Sequence, residues 1–329
     1  MKLMICELED KIFDIQKHGF EPLALELFQL QLKENQLYRS FIQALKIDPG
    51  KVTGVASIPY LPVSFFKNHE VVTGSFEAET VFESSGTTQT GNSRHLLKST
   101  DLYRRSFTKT FELFYGSPKE WCVIGLLPSY LERKNSSLVV MVNELIRQSQ
   151  HPLSGFYLDE FSKLHTTLQQ LEESKQQTLL IGVTFALLDF AEQFPIQLKY
   201  TSVMETGGMK GRRKELTRVE VHQKLCNSFN LQQVHSEYGM TEMLSQAYAK
   251  KDGLFYCPPW MKVLVRDEEE PLAVKETGRG VLNIIDLANI DSCSFIATDD
   301  VGIVHADGSF EVHGRIDYSD IRGCSLLAV

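Results

Sequence analysis

Between residues 6 and 47 the apolar positions Ile12, Phe13, Ile15, Leu23, Leu27, Leu30, Phe41 and Leu45 recur at helical spacing among Glu, Lys and Gln. A period of three to four places these side chains on one stripe, so the segment is predicted to form two or three amphipathic helices. Asp48-Pro49-Gly50 ends that pattern, and Pro59 and Pro62 push the residues before them out of the helical region, so 58–63 is expected to be extended. A strand is predicted within 72–91, leading into a Ser/Thr/Gly segment, and a helix from 98 towards 115. Apolar strand and helix segments then alternate at 122–127, 138–146, 179–183 and 186–190, which indicates an α/β protein with a largely parallel sheet. After about residue 258 the character becomes β-rich, with strands at 263–265, 280–285 and 295–298. Asp307-Gly308 reads as a hairpin turn between 302–304 and 310–312.

Composition narrows the class without changing this picture. The 329 residues are 43% hydrophobic and 23% charged, the balance of a globular enzyme rather than of a disordered, collagenous or coiled-coil chain. A net charge of −8, from 34 Lys+Arg against 42 Asp+Glu, argues against broad binding to nucleic acid or anionic membrane, so any anion site must be local. The six cysteines form no CxxC pair, which speaks against a disulfide framework or zinc knuckle and for a reducing cytoplasm. Met1-Lys2-Leu3 runs into Glu7, Glu9 and Asp10, so no secretory leader is expected. The longest apolar run, 179–188, is interrupted by Gly182 and Thr184 and is too short to span a bilayer.

Two segments carry candidate chemistry. In Glu83-Ser84-Ser85-Gly86-Thr87-Thr88-Gln89-Thr90-Gly91-Asn92-Ser93-Arg94-His95, dense hydroxyls and glycines let backbone N–H groups wrap a phosphate, with Arg94 near enough to neutralise it. A flexible surface loop is the plain alternative. A P-loop is disfavoured, because Asn92 stands where that motif needs lysine. The second segment, Ser236-Glu237-Tyr238-Gly239-Met240-Thr241-Glu242, follows the glycine pair Gly207-Gly208 and the basic run Lys210, Arg212 and Arg213. Taken singly these read as a packing tyrosine, a turn and a solvated face. His222 and Cys226 have metal-ligand spacing but offer only two ligands.

Taken in order with Thr298-Asp299-Asp300 and Gly314-Arg315-Ile316-Asp317, the two segments resemble the motif series of the adenylate-forming superfamily, and within it the LuxE-type acyl-protein synthetases. The closer likeness rests on Ile58-Pro59-Tyr60-Leu61-Pro62-Val63-Ser64-Phe65-Phe66-Lys67, on Leu127-Pro128-Ser129-Tyr130-Leu131-Glu132-Arg133, and on the ending Asp320-Ile321-Arg322-Gly323-Cys324.

The resemblance implies an α/β adenylating domain with a helical segment at 1–70, a core at 71–257, a β-rich lobe at 258–313 and a hinge-like arm at 314–329. It implies ATP and magnesium as cofactors, with Glu242 holding the metal. Ser84, Ser85, Gly86, Thr87, Thr88, Thr90, Gly91 and Thr241 would line the phosphates. Tyr238 and Gly239 would meet adenine beside Gly207 and Gly208, Asp300 would accept from the ribose hydroxyls, and Arg315 would lie near ribose or phosphate. A carboxylic acid, expected to be fatty, would become acyl-AMP and then a thioester on Cys324, near Arg322 whose charge lowers a thiol pKa. Onward transfer to an acyl reductase, a carrier protein or coenzyme A is implied. The chain ends a dozen residues after Asp317, so the superfamily's small C-terminal lysine domain is expected to be absent, leaving Arg94, Lys210 and Arg213 to supply charge. Direct transfer to an external thiol, and a non-catalytic nucleotide-binding scaffold, are the alternatives.

Overall fold

The computed structural model describes residues 2–84, 91–127, 135–158, 160–207 and 216–316. The chain opens with four helices, Lys2–Phe13, Ile15–His18, Phe20–Glu34 and Gln36–Ala44, where the spacing had predicted two or three. The extra breaks are local. Gly19, at φ +79°, swivels the chain between the second and third helices. Asn35 leaves the third in extended backbone and caps the fourth, its Oδ1 accepting from the Tyr38 N–H at 2.9 Å. Leu23, Leu27, Phe28, Tyr38 and Ile42 turn inwards and are buried.

The expected extended stretch yields β1 (Leu61–Pro62), and the strand before the Ser/Thr/Gly segment is β2 (Thr80–Glu83), paired antiparallel with β3 (Arg94–Leu97). Helix Thr100–Tyr115 follows, started by the Ser99 hydroxyl. The alternating region then builds one sheet from β4 (Cys122–Leu126), β5 (Gly155–Phe156), β6 (Thr178–Val183), β7 (Thr201–Thr206), β8 (His235–Tyr238) and β9 (Ala247–Ala249). Its order is β5-β4-β6-β7-β8-β9, parallel throughout except for β9. β4 and β6 are buried along their whole length, as expected of strands covered on both faces. The apolar run 179–188 splits at Val183 into β6 and the helix Thr184–Gln193, so it is two elements of the core.

The second half supplies β10 (Met261–Arg266), β11 (Val274–Lys275), β12 (Gly278–Asp286), β13 (Phe295–Val304) and β14 (Phe310–Arg315). Their sheet runs β1-β13-β12-β10-β11, with β14 also on β13. β13 therefore changes partner along its length: β1 lies beside Ile296 and Ala297, and β14 beside residues 300–304. The β13–β14 hairpin closes with His305 N–H donating to the Ser309 carbonyl at 2.8 Å and Gly308 at φ +83°, as the Asp-Gly signal predicts. Gly302 is obligatory beside it, since a Cβ there would lie 2.0 Å from the Glu311 carbonyl oxygen. The two sheets meet where Phe255 pairs with Phe310, and where the Trp260 indole donates to Ser106 and Ser245 at 3.2 and 3.1 Å. The carboxyl end of β8 meets β13, where the Tyr238 hydroxyl bonds Asp300.

Candidate active site

β8 ends in Tyr238, whose ring is buried and packed edge-on against Phe310 and Phe255, with centroids 5.4 and 5.8 Å away. Its hydroxyl donates to Asp300 Oδ2 at 2.7 Å. Arg315 Nε donates to Asp300 Oδ1 at 2.8 Å, while the Asp300 amide is held by the Thr298 hydroxyl at 3.1 Å. One buried carboxylate thus joins the end of the parallel sheet to both strands of the β13–β14 hairpin. Charge-assisted bonds of this kind are short and directional. Arg315 keeps three quarters of its side chain exposed, so its terminal nitrogens stand at the surface beside the pair. The Tyr238 hydroxyl holds Asp300, and its ionisation is pushed far up by burial and by that carboxylate.

Beyond Tyr238 the chain turns, with Met243 N–H donating to the Met240 carbonyl at 3.1 Å. Three buried groups fix this turn. His95 Nδ1 donates to the Thr241 carbonyl at 2.9 Å, and burial lowers the ring to about 4, so it is neutral. Asn289 Nδ2 donates to the Glu242 carbonyl at 2.8 Å. Asp286 accepts from the Leu244 and Ser245 amides at 2.8 and 2.9 Å and from the Ser245 hydroxyl at 2.6 Å. The N-terminal helices support this from behind, since Gln31 Nε2 donates to the Asn289 carbonyl at 3.2 Å. The Glu242 side chain is almost wholly buried; burial raises its carboxyl, against the Ser93 hydroxyl bonded to it and the charges of Arg315 and Lys67.

Ser93 belongs to the mouth of the β2–β3 hairpin, where Ser84 N–H donates to the Ser93 carbonyl at 3.0 Å and Ser93 N–H to the Ser84 hydroxyl at 2.9 Å. Ser93 and His95 are buried while Arg94 between them is exposed, so strand alternation turns Arg94 to the opposite face from the contacts to Glu242 and Thr241. Gly91 has φ +84° in open space.

A third group lies at the end of β7. Glu205 accepts from Thr184 Oγ1 at 3.1 Å, Ser236 Oγ at 2.8 Å and Arg218 Nε at 3.2 Å, with His222 Nε2 3.6 Å away. Burial pushes this carboxyl up, but His222, Arg218 and Ser236 outweigh it and hold it below the usual range. Arg218 also donates to the Val312 carbonyl at 3.0 Å, tying the helix Arg218–Phe229 to β14. Gly207, at φ +69°, is anchored by the Thr184 hydroxyl, which donates to its carbonyl at 2.8 Å. His222 is absorbed in this cluster, and among the described residues no group of three metal-binding side chains forms.

The structure therefore brings Tyr238, Gly239, Thr241, Glu242, Asp300 and Arg315 to one place, with Ser84, Gly91 and Gly207 at the ends of neighbouring elements. Ser85, Gly86, Thr87, Thr88, Thr90, Gly208, Lys210, Arg213 and Cys324 lie outside the described residues. Sequence reasoning passed over Ser93, His95, Glu205, Asp286 and Asn289. His95 and Ser93 sat inside the hydroxyl-rich segment, but nothing local marked Asp286 and Asn289 as belonging to the site, because their contacts to the turn after Tyr238 span more than forty residues.

Similarity to known proteins agrees with this geometry. Residues 11–328 match the family described as Acyl-protein synthetase, LuxE. The chain is 24% identical to the long-chain-fatty-acid–luciferin-component ligase of Aliivibrio fischeri, covering 95% of this chain and 89% of that protein. It is 22% identical to the protein of the same name in Vibrio harveyi, over 94% and 87%. Among solved structures, the O-succinylbenzoate coenzyme A synthetase of Bacillus subtilis, in complex with ATP and magnesium, matches with a TM-score of 0.50 and 15% identity. That match covers 73% of this chain and 51% of the synthetase, and it is a likeness of fold. The N-terminal domain of FACL13 from Mycobacterium tuberculosis covers 84% of this chain at a TM-score of 0.49. With the family match spanning nearly its whole length and the fold that of adenylate-forming enzymes, the chain belongs to the LuxE acyl-protein synthetase family.

Proposed function

We propose that this protein uses ATP to convert a long-chain carboxylic acid to its acyl-adenylate and then carries the acyl group as a thioester on Cys324. The observation that carries this reading is the convergence of three motifs, far apart in sequence, on Tyr238, Glu242, Asp300 and Arg315. In the first step a carboxylate oxygen attacks the α-phosphorus, and the bond to pyrophosphate breaks with its electrons leaving on pyrophosphate. Catalysis of such a displacement is mostly positioning and charge stabilisation. Asp300, aimed by Tyr238, is suited to accept hydroxyl donors of the ribose, and the outward guanidinium of Arg315 meets phosphate charge. The neutral His95 holds the Thr241 carbonyl and so fixes where Thr241 and Glu242 stand.

The donor set also fits magnesium. Glu242 is a hard oxygen ligand whose charged form is disfavoured by burial, so a small divalent cation beside it restores what loss of water removed. Glu242 would hold the magnesium, which would supply positive charge to offset that developing on the phosphate oxygens. In the second step a thiolate sulfur attacks the acyl carbon, and the bond to the AMP phosphate oxygen breaks. Burial pushes the Cys122 thiol up to about 11 and Cys293 to about 12, and raises Cys226 and Cys257, so these four are poor nucleophiles. Cys324 is taken as the acceptor from the motif resemblance of 320–324.

Intact-protein mass spectrometry after incubation with ATP, magnesium and a panel of acids tests both steps. An ATP-dependent acyl adduct, released by hydroxylamine and lost in Cys324→Ser, is the expected result. Acid-dependent pyrophosphate release without any adduct on the wild type would mean transfer to an external thiol instead.

A further inference from the structure

Lys67 closes the segment 58–67 and has no part in the chemistry assigned to Tyr238, Glu242, Asp300 and Arg315. Its backbone is firmly placed. Leu61 and Pro62 pair with Ile296 and Ala297 of β13, and Val63 N–H donates to the Ala297 carbonyl at 2.9 Å, one residue before Thr298. The chain then coils into a single helical turn, Phe65–Asn68, closed by His69 N–H donating to the Phe65 carbonyl at 2.8 Å. Phe65 packs edge-on against Phe41 with centroids 5.6 Å apart. Phe66 is wholly buried, its ring edge-on to His95 at 5.7 Å. With both aromatic rings anchored to the body of the protein, the next side chain on the turn, Lys67, is exposed.

This turn stands beside the nucleotide motif. The His95 ring that Phe66 meets holds the Thr241 carbonyl at 2.9 Å, and Glu242 follows directly. Lys67 joins Arg315 as a positive charge acting on the Glu242 carboxyl. The neighbouring cations are otherwise engaged. Arg315 Nε is bonded to Asp300, Lys98 to Asp291 at 2.9 Å, and Arg94 is turned to the opposite face. Among the described residues Lys67 forms no salt bridge. Its ammonium, a compact charge with three donors on a flexible stem, is therefore available to an anion that enters beside Glu242.

Adenylation brings such an anion. A carboxylate must approach a phosphate that is itself negative, and charge grows on the phosphoryl oxygens as the bond to pyrophosphate breaks. Cations aimed at those oxygens are a principal means by which a protein speeds such a displacement.

We infer that Lys67 is a catalytic residue whose ammonium contacts the phosphoryl oxygens of ATP bound beside Glu242 and stabilises the charge that develops there as the acid attacks. Lys67 keeps its proton throughout; only the bonds to the α-phosphorus change. The inference rests on the adenylation reading and adds to it a source of positive charge.

Acid-dependent ATP–pyrophosphate exchange by the full chain, with magnesium and a panel of straight-chain acids, is the test, run on Lys67→Met, Lys67→Arg and Lys98→Met. Lys67→Met keeps most of the stem and removes the charge. It should lower kcat at least about 100-fold while changing KM for ATP less than about threefold. Its melting temperature should stay within about 2 °C of the wild type, because the ammonium is exposed. Lys67→Arg, which returns a cation at similar reach, should recover at least about tenfold of the loss. Lys98→Met should exchange as the wild type does. Wild-type exchange in Lys67→Met would overturn the inference. So would a loss that Lys98→Met shares, or one that added magnesium restores, because Lys67 would then act only through the general field or through Glu242. A wild type that shows no exchange with any acid would remove adenylation itself and this inference with it, whereas equal exchange by wild type and Lys67→Met removes the inference alone.

Discussion

Two buried carboxylates anchor the candidate site, and their surroundings differ in kind. Asp300 is answered from within the protein: Tyr238 donates to one oxygen and Arg315 to the other. Glu242 is equally buried; the Ser93 hydroxyl, its own amide and the charges of Arg315 and Lys67 act on it, yet burial still raises its carboxyl. The first carboxylate has a donor on each oxygen; the second is the one beside which the proposed magnesium would sit. A folded chain tolerates the second because rigid backbone contacts from His95, Asn289 and Asp286 hold the turn regardless of the Glu242 side chain.

Substitutions that remove one charge at a time break this comparison most directly. Glu242→Gln should lower acid-dependent ATP–pyrophosphate exchange by at least about 100-fold, or about 2.7 kcal/mol. The same change should leave the melting temperature equal or higher, because a neutral amide escapes the desolvation that burdens the carboxylate. A drop in melting temperature would show that Glu242 is a structural acid. Asp300→Asn should do the reverse: it strands Arg315 and Tyr238, costs roughly 1.5–3 kcal/mol of stability in urea unfolding, and raises KM for ATP. Tyr238→Phe should raise KM for ATP about tenfold, the effect of one charge-assisted bond, with kcat changed less. Equal losses in kcat and kcat/KM would place the hydroxyl at the reacting phosphate instead.

Acid sharpens the contrast on the Glu242 side. The folded pKa of His95, about 4, lies below its ordinary 6.5, so the unfolded chain takes up a proton first. Its contribution is fully present above about 6.5 and is lost as pH falls towards about 4, amounting to about 3 kcal/mol. Urea midpoints measured from pH 7.5 to 4 should fall more steeply for the wild type than for His95→Gln. Parallel curves would mean that the ring protonates as readily in the fold as outside it. The smallest effect is expected for Cys226→Ser, a half-buried thiol outside the site, which should change neither exchange nor stability by more than about 0.5 kcal/mol.

Much of the architecture was legible because its signals are short-range. The apolar runs at 122–127 and 179–183 became β4 and β6, and Asp307-Gly308 became the β13–β14 turn, since burial on two faces and a positive φ each leave a local mark. The helix count was missed at Gly19 and Asn35, where single residues interrupt a continuing apolar stripe. In the site, residues within motifs were found, and their supports were not. Glu205 lies before a glycine pair in plain view, yet its meaning depends on Arg218, His222 and Ser236 arriving from another helix and strand.

What the sequence alone determined is the set of chemical groups and their order: hydroxyls before Arg94, the Tyr-Gly-x-Thr-Glu turn, the acidic pair at 299–300, and a strand-helix alternation that fixes a parallel sheet. Only the tertiary structure decided which carboxylate has a donor on each oxygen and which is raised by burial. Side-chain type sets what a group can donate or accept, but the protonation and charge it shows depend on burial and on partners from distant segments. Those are properties of the packed chain: Asp300 meets Tyr238 and Arg315 because β13 exchanges β1 for β14 at that point.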